Sequence, residues 1–304
     1  MLIDGIGDHE ISIFETAENG KQGDSNEFLK NADIAFGSPD AEALFSCKNL
    51  RWVQVSSAGY PAYDRDDLRE FLRNKNVILT NSSAVYEEFC AQHLLAMILS
   101  FMRCLPLALD NQRGEKAWLL HEMRSNIRIS NSQTVLILGF GAIGRRLVQM
   151  LKPLKMKVIG VKRTIRGDEP IKVISETEVD EFLPETDHLV NILPANDSTT
   201  EFLNAARLAK LKRGAFVYNI GRGTTVNQKA LVENLIDGHL KGAYLDVTEP
   251  EPLPPDDQLW TTPNCYITTH VAGGHSQEKE MQVVHFLNNL RLFEREKNLI
   301  NRLY

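Results

Sequence analysis

The hexapeptide Gly139-Phe140-Gly141-Ala142-Ile143-Gly144 constrains this chain more than any other feature. It follows Thr134-Val135-Leu136-Ile137-Leu138, five residues suited to a buried strand, and it opens a run in which Leu147, Met150 and Leu151 recur at helical spacing. A strand, a G-x-G-x-x-G turn and a helix in that order demand a βαβ unit in a parallel sheet. Gly139 permits the tight turn, Gly141 lets a pyrophosphate approach the backbone, and Gly144 allows the helix to pack closely on the strand. The helix start offers unpaired N–H groups and the positive end of its dipole, so the expected ligand is a dinucleotide held at Gly139, Gly141, Ala142, Ile143 and Gly144.

Strand-like runs continue the pattern on both sides. Lys157–Val161, His188–Leu193, Ala215–Asn219, Gly242–Asp246 and Cys265–Thr268 follow the first, and 32–36, 50–55 and 77–80 precede it. Helical runs separate most of them, which predicts an α/β chain with parallel strands and crossover helices. A long helix is expected from Ala84 to about Cys104, carried by Val85, Phe89, Leu95, Ile98 and Met102 and ended by Pro106. The segment 110–132 reads as an excursion, and a last helix is expected over about 277–297. The expected domains are 1–98 with 275–304, and a dinucleotide domain at 99–274, a division that suits a chain of 304 residues.

The residues after the second strand of the dinucleotide domain bear on the cofactor. An NAD site places an acid there for the ribose 2′-hydroxyl, but this chain has Lys162-Arg163-Thr164-Ile165-Arg166 and no acid before Asp168. Lys162, Arg163 and Thr164 suit a 2′-phosphate, so NADP is expected, with NAD as the alternative. Further along, Arg222 lies in Asn219-Ile220-Gly221-Arg222-Gly223, Glu251 precedes Pro252, and His270 follows Thr268-Thr269. A guanidinium, a carboxylate and an imidazole, each just beyond a strand, are the groups needed to move a hydride to or from a carbon bearing oxygen beside a carboxylate.

A net charge of −6, with no basic tract, argues against nucleic acid or an anionic membrane as a partner. The longest apolar run, Leu94 to Leu99, is too short to span a bilayer. The first residues lack the basic and apolar segments of a secretory leader. Cys47, Cys90, Cys104 and Cys265 are scattered, so neither a disulfide framework nor a metal site is expected, and the expected compartment is the cytoplasm.

Taken together, these residues resemble the D-isomer-specific 2-hydroxyacid dehydrogenase family, which includes glyoxylate/hydroxypyruvate reductases and phosphoglycerate dehydrogenases. The resemblance runs from about Ala32 to the C-terminus and is carried by Val55 to Gly59, the fingerprint glycines, Leu193-Pro194 with Thr199, Asn219 to Gly223, Leu245 to Pro252, and His270 to Gly273. It implies two doubly wound parallel-sheet domains, one Rossmann-type and one flavodoxin-like, with the active site in the cleft. It implies that Arg222 grips the substrate carboxylate, that His270 is the acid/base, and that Glu251 holds the imidazole. Ala58 and Gly59 would offer amides to the substrate, Asp246 would face the nicotinamide, and Leu193, Pro194, Thr199, Ile220 and Gly221 would line the cofactor trough. The implied activity is reduction of a small 2-oxo acid to the D-2-hydroxy acid by a homodimer. Phosphoglycerate-type or formate oxidation, and a dinucleotide-sensing corepressor on the same fold, are the alternatives. Thr248, Thr269 and Gln92 depart from residues frequent in the family.

Overall fold

The computed structural model describes residues 1–14, 28–165 and 167–304, and the chain divides into two compact units. The first, Met1–Tyr86 with His275–Tyr304, holds three parallel strands among the described residues, in the order β1 (Ile34–Gly37), β2 (Trp52–Val55) and β3 (Ile78–Thr80). All of β2 is buried, and its side chains alternate between two faces. Val53 and Val55 join Leu44, Leu68, Leu72 and Leu79 on one face, where the helix Asp66–Asn74 packs. Trp52 joins Phe286, Leu287 and Leu290 on the other, under the helix Glu278–Glu294, with its ring stacked on Phe286. Of the stretch before Ala32, where the family resemblance begins, residues 15–27 lie outside the described residues.

The second unit, Glu87–Gly274, holds seven strands among the described residues, all parallel to their neighbours. These are β4 (Thr134–Leu138), β5 (Lys157–Val161), β6 (Lys172–Ile174), β7 (His188–Asn191), β8 (Phe216–Asn219), β9 (Gly242–Leu245) and β10 (Cys265–Ile267), in the spatial order β10-β9-β8-β7-β4-β5-β6. The order reverses between β4 and β7, which makes a doubly wound sheet with a crevice at the carboxyl ends of those two strands. Continuous apolar runs form these strands because both faces are covered: Leu136, Ile137, Leu138, Leu189 and Val217 are wholly buried.

Two expectations need correction, and one strand was missed. β6 was not anticipated, because three residues of mixed character carry little periodicity. The first domain boundary falls at Tyr86 and not at 98, since Ala91, Leu94, Ile98 and Phe101 of the helix Ser83–Met102 are buried and Phe101 stacks on Phe216 within the second unit. Pro106 does not end that helix. Cys104 turns the chain with a left-handed backbone, φ +55°, and Pro106 lies in the first turn of a new helix, Leu105–Arg113, where a proline costs no hydrogen bond. Among the described residues no single helix is long and apolar enough to cross a membrane.

Candidate active site

The dinucleotide turn lies at the crevice that the strand order creates. Gly139, just past β4, has φ +90°, and a Cβ there would come within 3.0 Å of the Ile192 carbonyl beyond β7. Gly144 is buried against Phe140 and Ile137. Gly141 differs: a Cβ would meet nothing within 4 Å, so this glycine leaves open space at the start of the helix Ala142–Leu151. No side chain caps that helix, and its first N–H groups, from Ala142, Ile143 and Gly144, have no partner inside it. An open approach, aligned amides and a ten-residue helix fit the pyrophosphate of a dinucleotide.

Beyond β5, the Lys162 amide continues the ladder to Ile174 of β6 at 3.1 Å, and Arg163 and Thr164 are exposed. Arg163 is already partnered: its Nε lies 3.5 Å from Oε1 of Glu176, just past β6, while the side chain stays 61% exposed. Glu176 was not legible from the sequence because β6 was not. Arg166 lies outside the described residues.

Arg222 is held by a buried amide network. Asn219 Oδ1 accepts from the Gly221 amide at 3.0 Å and from Asn191 Nδ2 at 3.1 Å, and Asn219 Nδ2 donates to the Arg222 carbonyl at 3.0 Å. Asn191 Nδ2 also donates to Thr225 Oγ1 at 2.6 Å, and that hydroxyl donates to the same carbonyl. The Arg222 backbone is fixed while its head is half-buried and spends one of five donors, on the Gly221 carbonyl. Gly221 and Gly223 are packed against backbone, where a Cβ would lie 2.5 Å from the Leu193 carbonyl oxygen and 2.0 Å from that of Thr248. Two glycines thus press the Arg222 loop against the loops after β7 and β9.

Glu251 Oε1 is hydrogen-bonded to Nδ1 of His270, which leaves Nε2 as the nitrogen able to serve a ligand. The Glu251 loop is fastened by Gln228, whose amide pairs with the N–H and the carbonyl of Glu249. Thr248, one of the departures, is buried and donates to the Pro250 carbonyl at 2.9 Å, closing this loop. Asp246, 2% exposed, accepts from the amides of Val271 and Ala272, both at 2.9 Å, while its carbonyl accepts from the His270 amide at 2.8 Å. Asp246 therefore clasps the His270 loop, a use beyond the expected nicotinamide contact. Leu193 and Ile220 are buried and Pro194 is exposed at the rim. Thr199 is a correction. It is 1% exposed and its hydroxyl donates to the Pro194 carbonyl at 2.6 Å, so it shapes the loop from inside and does not line the trough.

Arg222, Glu251, His270, Asp246 and the glycine turn are thus all brought to the carboxyl edge of one sheet. Ala58 and Gly59 belong to the first unit, in the loop after β2. There the carbonyls of Ser56, Ser57, Ala58 and Gly59 accept from Tyr86 Oη, the Ser82 amide, Asn81 Nδ2 and Ser57 Oγ respectively. Those four bonds fix the carbonyls of the loop within the unit.

Residues 95–272 match the model of the D-isomer specific 2-hydroxyacid dehydrogenase NAD-binding domain. Glyoxylate/hydroxypyruvate reductase B of Pectobacterium carotovorum subsp. carotovorum is 30% identical over 263 residues, 84% of this chain and 79% of that one. Glyoxylate reductase of Korarchaeum cryptofilum is 29% identical over 86% of this chain and 80% of its own length. Among solved structures, a D-isomer specific 2-hydroxyacid dehydrogenase of Xanthobacter autotrophicus, in complex with NADPH and MES, superposes with a TM-score of 0.82 at 27% identity over 100% of this chain and 92% of the other. The protein belongs to the D-isomer-specific 2-hydroxyacid dehydrogenase family. It is an oxidoreductase acting on CH–OH donors, and its second unit is a nicotinamide-dinucleotide-binding domain.

Proposed function

We propose that the protein reduces a small 2-oxo acid, of the glyoxylate or hydroxypyruvate kind, to the D-2-hydroxy acid, with NADPH preferred. The observation that carries this reading is the His270–Glu251 pair, one imidazole nitrogen held and the other left for a substrate, on the same sheet edge as a guanidinium with donors to spare. Bound NADPH would supply the hydride, to the carbonyl carbon of the acid. His270 gives its Nε2 proton to the carbonyl oxygen as the C=O π electrons move there, and takes that proton back in oxidation. Arg222 offers its fork to the carboxylate and to the oxygen that gathers charge. Glu251 keeps the imidazole aimed.

The preference for NADPH rests on Lys162, Arg163 and Thr164, and the similar Xanthobacter structure carries NADPH. A reducing cytoplasm suits the four free thiols. A homodimer belongs to the same proposal: Leu105, Leu109, Trp118, Leu120 and Ile129 expose large apolar surface within one segment of the second unit. Sedimentation velocity showing a monomer at micromolar concentration would count against that part. The central test is a panel of 2-oxo acids assayed with NADPH and with NADH. Turnover of glyoxylate or hydroxypyruvate, with a higher kcat/KM for NADPH, is expected. No turnover of any 2-oxo acid would overturn the reading.

A further inference from the structure

Behind Asp246 three polar side chains that no step above uses lie in series. Thr268 Oγ1 is hydrogen-bonded to Asp246 Oδ1, Tyr244 Oη to Thr268 Oγ1, and His93 Nε2 to Tyr244 Oη. The carboxylate fixes the direction of every bond, because it only accepts. Thr268 spends its one proton on Asp246 and so accepts from Tyr244. Tyr244 spends its proton on Thr268 and so accepts from His93, whose Nε2 must carry hydrogen. All three donors point toward Asp246, an arrangement in which each bond polarises the next.

The chain is sheltered. Tyr244 is 1% exposed, and burial pushes its phenol well above the ordinary range, so it remains a neutral donor. Burial pulls the His93 imidazole down, partly offset by the charge of Asp246. On the other side of Asp246 are the amides of Val271 and Ala272. Between these contacts stands His270 with φ +55°, a left-handed backbone that is unfavourable for a residue with a side chain and persists only where its surroundings impose it. Each carboxylate oxygen has room for about two donors. Thr268 and Val271 fill Oδ1, and Ala272 takes one place on Oδ2.

We propose that Thr268 and Tyr244, backed by His93, are positioning residues for the reduction: they orient the Asp246 carboxylate, which in turn holds the backbone of residues 270–272 and the aim of the His270 imidazole. The assignment rests on the reading of His270 as the acid. Without the Thr268 hydroxyl the carboxylate is held only by the two amides of the loop it is meant to fix, so the clasp on the His270 loop loosens while the loop itself stays folded.

Thr268→Val keeps the shape and removes the donor, and Thr268→Ser keeps the donor. The first is expected to lower kcat about tenfold, the usual effect of one lost hydrogen bond to a charged group, with the KM for the oxo acid and the dissociation constant of NADPH changed by no more than about twofold. The serine variant should restore kcat, and Tyr244→Phe should lower it in the same sense. A second readout needs no turnover: with labelled histidine, the His270 ring resonances, identified by their absence in His270→Gln, should be one narrow set in the native protein and broadened or split in Thr268→Val. If the native protein turns over no 2-oxo acid, the functional reading falls and the resonances still decide the positioning claim. Unchanged kcat and unchanged His270 signals in Thr268→Val would overturn it, as would equal losses in the valine and serine variants.

Discussion

His270→Ala is expected to lower kcat by about 10²–10⁴, the range of a positioned acid–base group, while NADPH still binds. A fluorescence titration beside the steady-state assay separates the two, and wild-type turnover in this variant would remove His270 from the chemistry. Because the proposed reduction takes up a proton and oxidation releases one, the rate of reduction should fall as pH rises and that of oxidation should rise. Parallel profiles in both directions would contradict that. Arg222→Ala should raise the KM for the oxo acid as well as lower kcat, since the substrate carboxylate loses its fork. At the cofactor's far end, Lys162→Ala with Arg163→Asp is expected to shift preference from NADPH toward NADH by roughly tenfold or more. Glu176, 3.5 Å from Arg163, would repel a 2′-phosphate held there, so Glu176→Gln is expected to raise NADPH affinity, and a lowered affinity would show that it serves to steady the arginine. Equal kcat/KM for the two cofactors in the native protein would defeat the NADPH preference outright.

Two glycines separate what loops do for one another from what they do for a ligand. A Cβ at Gly223 would lie 2.0 Å from the Thr248 carbonyl oxygen, so Gly223→Ala must part the loops after β8 and β9, at a cost of about 2 kcal/mol or more in stability. At Gly141 a Cβ meets nothing within 4 Å of protein. Gly141→Ala should therefore leave the melting temperature unchanged and weaken dinucleotide binding by roughly tenfold; a fall in melting temperature matching that of Gly223→Ala would show the turn to be purely structural. This contrast also marks what could be read from the sequence. The turn, the strands around it and the Arg222, Glu251 and His270 loops carry local patterns, and all were legible. Asn191, Thr225, Gln228, Tyr244 and Thr268 were not, because each acts by a side-chain bond to a loop or strand distant in sequence, and no spacing announces such a bond. The boundary at Tyr86 was hidden for a related reason. A continuous helix crosses it, and which residues of that helix join which unit depends on partners such as Phe216, far along the chain.

Acid should unfold the molecule earlier than its carboxylates alone require. His188, wholly buried at the start of β7, is drawn down to about 4 by burial, and burial also lowers His93 and His285. The unfolded chain binds a proton at each near pH 6.5 while the folded chain resists, so stability is full above about 6.5 and falls as pH drops toward 4. His188 alone accounts for a loss on the order of 3 kcal/mol across that window. Urea midpoints measured from pH 8 to 4.5 should show the decline, and a flat profile down to pH 5 would contradict it. The strand order has a different consequence. Lys162 and Arg163 follow β5, His270 follows β10, and five strand intervals separate them, roughly 24 Å at the usual spacing of neighbouring strands. The residues proposed for cofactor choice and for proton delivery thus stand at opposite ends of one sheet, too far apart for their side chains to touch. Substitutions at the two ends should combine additively in a double-mutant cycle, so either trait is open to revision, by selection or by design, without renegotiating the other.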